Sequence, residues 1–255
     1  GLVIFAADLV HQATRPRIAT WRALYASFAD FLWVLGTVVG VALFAENLSD
    51  SGLLTVSAVA VIVFTFGVWQ LWGINRIHWV PESGLYRHCV PVHVNASAIA
   101  MWSVVSQLGD IQNYTPALKS SELLDGKAPG IGAIRRCVNQ AGKAWAEECV
   151  TFEPDHRFVV RFLAEAPDFP FPAKAMVGGW KVFPSDDGAE VMVWWELQPK
   201  PAFLAPVLLP ILAFQADRDF PKVIARMASA ARSGENYSEA DAEPRLAVGP
   251  LPMLC

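Results

Sequence analysis

The chain has no run of Lys or Arg, no CxxC pair, and no HxxxH or HExxH pattern among its 4 cysteines and 5 histidines. The first absence removes the electrostatic footprint of a nucleic-acid binder, and 24 acidic against 20 basic residues point the same way. The second leaves no metal-ligand spacing, so neither a metal nor a cofactor is expected. Position 1 is not Met: the chain opens Gly1-Leu2-Val3-Ile4-Phe5, already apolar, with no charged leader and no small-residue cleavage site. It reads as a piece that begins inside a helix.

What is abundant is apolar: 54% of residues are hydrophobic while 17% remain charged, so the apolar content is expected to be concentrated. Two stretches collect it, at about 22–45 and 53–75. The first carries one charge after Leu24, Asp30, and the second carries none before Arg76; each reaches the ~20 residues needed to cross a hydrocarbon core. The connector Glu46-Asn47-Leu48-Ser49-Asp50-Ser51-Gly52 is short, polar and acidic, which predicts an antiparallel transmembrane hairpin. Arg15, Arg17 and Arg22 precede it and Arg76 and Arg87 follow it, so the positive-inside rule puts both outer ends in the cytoplasm. Trp21, Trp69, Trp72 and Trp79 fall near the same interface, as an aromatic belt requires. Within the spans, a hydrogen bond from Asp30 to Gln70 or to an Arg is expected to tie the helices together, ahead of ion or proton handling. Residues 1–13 look like the tail of an earlier span, and residues 1–77 resemble the last part of a small bacterial four-helix membrane module, through hydropathy and Asp30-x-x-Trp33.

After Pro81 the pattern changes to alternation and turn signals. A strand is expected over 87–94, then a helix over 98–107 capped from Asn95-Ala96-Ser97. Strands follow at about 117–124, 131–139, 143–153, 157–165, 174–184 and 189–198. The period becomes helical from 203 to 232, with Pro206 and Pro210 confining the regular helix mostly to 211–231. This divides the chain into a membrane module over 1–79, a second domain over 80–232, and a polar, Pro-rich tail over 233–255 expected to be disordered.

Several pieces of that second domain occur in a recognisable order. They are Gly130-Ile131-Gly132-Ala133-Ile134-Arg135, then Glu148, Asp155-His156-Arg157, the step Ala166-Pro167-Asp168-Phe169-Pro170-Phe171-Pro172, Gly179-Trp180-Lys181-Val182, and Val193-Trp194-Trp195. Over 88–231 this resembles the START-like (SRPBCC) superfamily of polyketide cyclase/dehydrase and lipid-transport proteins. The resemblance implies an α+β helix-grip fold, a curved antiparallel sheet wrapped around a long C-terminal helix, here preceded by the all-α transmembrane hairpin. It also implies a cavity for a hydrophobic or amphipathic ligand such as a lipid, a quinone or a polyketide. It implies no reaction, because members include carriers as well as cyclases and dehydratases. Where many relatives have a Tyr after the D-x-R turn, this chain has Phe162, so a hydroxyl that might act on a ligand is missing.

A two-residue turn at Ala141-Gly142 would pair residues whose numbers sum to that of Gln140 and Lys143, which sets Arg135 opposite Glu148. Alternation then puts Val150 and Phe152 on the Glu148 face and suggests that this face is the concave one. Such a pair either orients a ligand carbonyl and accepts its proton, or is a structural ion pair that fixes register. The other cavity candidates are Trp102, Tyr114 and Met176, together with Trp180, Trp194 and Phe214. No catalytic residue is assigned, and no constellation of nucleophile, His and carboxylate is visible.

The leading expectation is therefore a cytosolic domain, tethered to the inner (plasma) membrane by a multi-pass module, that binds or transfers a hydrophobic small molecule. An aromatic polyketide cyclase or dehydratase is the alternative. Its partners would be that molecule and the membrane, with no nucleic acid, and oligomeric state is left open.

Overall fold

The computed structural model describes residues 20–232 together with 7, 10, 11, 243 and 244. The expected earlier span at 1–13 and the expected disordered tail at 233–255 thus lie almost wholly outside the described residues. The chain forms two compact units: one runs to Ile77 and includes Pro206–Phe214, and the other holds 78–205 and the residues from Gln215 onward.

The first unit is built on α1 (Thr20–Phe44) and α2 (Asp50–Ile77), joined through a 3-10 turn at Ala45–Asn47. Ser49 starts α2: its hydroxyl accepts from the Gly52 N–H at 3.2 Å, and Asp50 adds a negative charge to the first turn. Both helices are long and apolar enough to cross a membrane. Their outer surfaces are apolar too, with Leu32, Leu54 and Trp69 each more than 60% exposed. The expected Asp30–Gln70 contact forms: Gln70 Nε2 donates to Asp30 at 3.1 Å, and Ser27 Oγ donates to Gln70 Oε1 at 3.1 Å. Gly67 lets the helices approach there, since a Cβ at that position would stand 3.2 Å from the Phe31 ring.

The second unit is one antiparallel sheet closed by helices. Its strands are β1 (Trp79–Val80), β2 (Leu85–Val94), β3 (Leu118–Leu123), β4 (Ile134–Asn139), β5 (Ala144–Glu153), β6 (Arg157–Phe162), β7 (Ala173–Ser185) and β8 (Gly188–Pro199). The order across the sheet is β1-β2-β8-β7-β6-β5-β4-β3, a meander whose last strand returns to pair with β2. A two-residue β9 (Glu243–Pro244) adds to β2. Helix α3 (Ala98–Val105) follows β2, and Ser97 caps it by accepting from the Ala100 N–H at 3.2 Å. Helix α4 (Ala205–Ala231) ends the domain.

The α+β helix-grip arrangement expected from the sequence is the one observed: a curved sheet and a long C-terminal helix share one core. Val90, Val92 and Val94 of β2 meet Phe158 and Val160 of β6, Trp180 and Val182 of β7, and Val191 and Val193 of β8. Ile224, Met227 and Ala228 of α4 close it from the other side. Among the boundaries that differ from expectation, two have a direct cause in the backbone. Helix α4 begins at Ala205 rather than near 211, because Pro206 falls in the first turn, where the N–H has no helical partner, and Pro210 removes one bond only. Strand β4 begins at Ile134 rather than 131, because Gly132 takes φ +77 and the Ala133 N–H closes a turn onto the Gly130 carbonyl.

Candidate functional site

The concave side of the sheet is set by register. Trp195, Val193 and Val191 of β8 pair with His88, Val90 and Val92 of β2, and with Gly178, Trp180 and Val182 of β7. Paired residues share a face, so these all look toward α4. Trp180 is buried there, edge-on to Phe220 of α4 with ring centroids 6.0 Å apart. Met176, opposite Leu197, shares the face and is half-buried. Trp102 of α3 is buried against Phe152 at 5.6 Å and Phe158 at 6.5 Å. Tyr114 packs on the same core, and its backbone carbonyl accepts from Arg226 of α4 at 3.1 Å. Burial, and then the charge of Asp110, hold the Tyr114 phenol above its ordinary pKa, so it stays protonated.

Three sequence candidates stand elsewhere. Trp194 is on the convex face: its ring lies over Gly179, where a Cβ would come within 2.5 Å, and the Arg87 guanidinium sits 5.6 Å from it. Trp195 takes the concave position, because neighbours along a strand point to opposite sides. Phe214 is 44% exposed and belongs to the unit that contains the hairpin.

Glu148 is the third, and the expected Arg135–Glu148 pair does not form. The turn between β4 and β5 holds three residues, Gln140-Ala141-Gly142, with the Asn139 N–H on the Lys143 carbonyl at 2.9 Å and Gly142 at φ +79. That extra residue moves the register by one, so Arg135 lies opposite Glu147, and Glu148 lies opposite Ile134. Alternation misled at the other end of β5 as well. A bulge between Cys149 and Thr151 lets Glu147, Cys149 and Phe152 share the inner side, while Glu148 faces out and binds Arg161 at 2.7 Å.

Arg135 and Glu147 are both buried. Arg135 Nε and Nη2 donate to Glu147 Oε2, and Nη1 donates to the Leu108 carbonyl at 2.8 Å, which ties β4 to the 3-10 segment Leu108–Asn113. Trp145 Nε1 donates to Glu147 Oε1 at 2.6 Å. Burial works against the Arg135 charge, but the Glu147 carboxylate and smaller effects of its neighbours together offset it, and the guanidinium pKa is raised. The hydrogen bonds of both charged groups are thus met within the protein. Beside it, Cys137 and Cys149 are free and buried. Burial pushes the Cys137 thiol up to about 11 and raises Cys149, so neither is a ready nucleophile.

Two features escaped the sequence reading. The Pro-rich step between β6 and β7 folds Phe169 and Phe171 onto Phe162 and Trp145, with centroids 5.0 to 6.4 Å apart, and so forms an aromatic cluster. Phe162 is part of that cluster, in keeping with its lack of a hydroxyl. The second feature is a histidine pair. His88 is 2% exposed on β2, and its Nε2 donates to Asp217 of α4 at 2.7 Å, leaving a buried Nδ1 with no partner. The His78 ring lies 5.4 Å from it and Trp195 lies 5.6 Å away. No local motif signals a pair 129 residues apart. Among the described residues no three His, Cys, Asp or Glu side chains converge as metal ligands.

A family model described as polyketide cyclase/dehydrase and lipid transport matches residues 90–232. No curated protein is similar enough in sequence to add a relative. Among solved structures, truncated norcoclaurine synthase from Thalictrum flavum is 18% identical with a TM-score of 0.46, over 59% of this chain and 94% of its own. The Zhui aromatase/cyclase from Streptomyces sp. R1128 is 17% identical with a TM-score of 0.43, over 58% of this chain and 93% of its own. The di-domain ARO/CYC StfQ of the steffimycin biosynthetic pathway is 14% identical with a TM-score of 0.48, over 72% of this chain and 62% of its own. Likeness at these levels says nothing about which ligand this chain takes.

Proposed function

The chain belongs to the polyketide cyclase/dehydrase and lipid-transport family, and from that premise we propose that it binds or transfers a hydrophobic small molecule while tethered to the membrane. The observation that carries this reading is the chemistry of the side chains on the inner side of the sheet and helices. They include Trp102, Met176, Trp180 and Trp195, with an aromatic cluster at Phe162 and Phe171, and the buried ion pair beside them is already satisfied internally. Such a lining suits a flat, apolar molecule of the lipid, quinone or polyketide kind. A tether on the same chain raises the effective concentration of a membrane-dissolved ligand without any catalytic group. Native mass spectrometry of the full chain released from detergent is the test, with tryptophan quenching by a short-chain benzoquinone as its companion. A co-purifying apolar mass and saturable quenching are expected. An adduct-free chain whose tryptophans are quenched only collisionally overturns the reading.

The tether is a multi-pass module of the inner (plasma) membrane, with the C-terminal domain in the cytoplasm. Its support is the placement of Arg22 and Arg76 at the outer ends of two apolar helices, with no basic residue in the connector. A cysteine introduced at Ser49 should react with an impermeant thiol reagent in intact cells. Protection at Ser49, with labelling restricted to permeabilised cells, overturns this orientation.

The cyclase or dehydratase alternative retains one observation in its favour, the His88–Asp217 hydrogen bond on the concave side, since the Arg135–Glu148 pair that first suggested it does not exist. Loss of turnover of a poly-β-keto thioester in His88→Gln, with benzoquinone quenching retained, would select the enzyme. Quenching without any turnover by the parent chain would select the carrier.

A further inference from the structure

The outward side of α4 changes character partway along. Ala205, Leu209, Ala213 and Ala216 are buried at helical spacing and mark the inward side. Opposite them, Val207, Ile211 and Phe214 are exposed, and Phe203 and Leu204 continue the exposed apolar row into the 3-10 turn before the helix. No charged residue occurs between Lys200 and Asp217. Beyond Asp217, which turns in to His88, the exposed positions include Arg218, Asp219, Lys222 and Arg226.

A helix surrounded by water keeps its outer side polar throughout, so the first three turns of α4 are dressed for another medium. The change of character also coincides with a change of unit: Pro206–Phe214 groups with α1 and α2, whereas Gln215 onward groups with the sheet. Residues 206–214 of the apolar stretch thus belong to the same unit as the two helices that are long and apolar enough to span a bilayer.

We propose that the outer side of residues 203–214 is a lipid-docking surface, seated in the interfacial region of the leaflet next to the domain. This rests on the membrane reading above and adds to it a second, peripheral contact. An amphipathic segment of this kind lies in the plane of the interface with its apolar side toward the acyl chains. It brings the start of the helix that closes the ligand site into contact with the phase in which an apolar ligand dissolves.

Spin-label accessibility in the full chain tests it, in nanodiscs of phosphatidylcholine and phosphatidylglycerol. Labels are placed singly through Ile211→Cys, Phe214→Cys, Val61→Cys in the middle of α2, and Ala230→Cys on the last turn of α4. The signal of the unsubstituted chain is subtracted, and far-UV circular dichroism verifies the fold of each variant. Labels at 211 and 214 should resemble that at 61, several-fold more accessible to oxygen than to a water-soluble nickel chelate, with the reverse at 230. Nickel access at 211 and 214 while 61 stays oxygen-accessible sinks the docking surface and leaves the tether standing. Nickel access at 61 as well sinks both. Protection of 211 and 214 from both reagents means that protein covers the stripe, and overturns the lipid assignment.

Discussion

Glu147→Ala should cost roughly 3–5 kcal/mol of folding stability, whereas Glu148→Ala should cost under about 1 kcal/mol, although the two residues are neighbours on one strand. The difference lies in their surroundings. Removing Glu147 strands the buried Arg135 guanidinium and takes the acceptor from Trp145 Nε1. Removing Glu148 releases Arg161, which is 46% exposed at its side chain and regains water. The apolar double replacement Arg135→Met with Glu147→Leu should cost less than Glu147→Ala alone, with the residual loss at the Leu108 carbonyl that Arg135 now satisfies. Chemical unfolding followed by tryptophan fluorescence checks all three. Equal losses for Glu147→Ala and Glu148→Ala would mean that the β4–β5 register described above is wrong.

Acid should weaken the sheet domain between pH 6.5 and pH 4 by an amount traceable to one imidazole. Burial, and then the neighbouring His88, lower the His78 pKa from 6.5 to about 4, against smaller opposing effects of the Arg87 carbonyl and Asp217. The unfolded chain therefore takes up a proton near pH 6.5 that the folded chain refuses until about pH 4. Stability contributed by the neutral ring is complete above pH 6.5 and is lost as pH falls through this window. The shift corresponds to about 3 kcal/mol at its acid end. Asparagine at this position keeps a donor for the Arg87 carbonyl, 3.0 Å from His78 Nδ1, without a titrating ring. The fall in unfolding free energy from pH 6.5 to pH 4 should therefore be shallower in His78→Asn than in the parent chain. Parallel curves would show that His78 titrates normally and that carboxylates alone govern the acid limb.

Both predictions concern groups whose partners the linear pattern misassigned or did not reveal, and the reason is geometric. A strand has a side-chain period of two, so a single extra residue exchanges its faces. The three-residue turn at Gln140-Ala141-Gly142 and the bulge after Cys149 are each one such residue, and neither leaves a compositional mark strong enough to set register unaided. The turn replaced Glu148 by Glu147 as the partner of Arg135, and the bulge put Phe152 on the Glu147 side of β5. The same period separates Trp194 on the convex face from Trp195 beside His88, and nothing in the doublet distinguishes them before β8 is paired with β2.

The sequence by itself determined the features that depend on sums over many residues. Two stretches of about 22 residues with a single charge between them can do little but form long apolar helices, and the Asp30–Gln70 contact follows once they lie antiparallel, since two polar groups at equal depth have few other partners. The succession of strand, helix, meander and long helix was legible for the same reason, as alternation and turn residues accumulate over each segment. Only the tertiary structure decided which single side chains meet. The His88–Asp217 contact, the fold of Phe169 and Phe171 onto Phe162, and the division of α4 between two units join positions far apart in the chain. Such contacts are fixed by the register and curvature of the whole sheet, to within one residue, and local propensity carries no information at that precision.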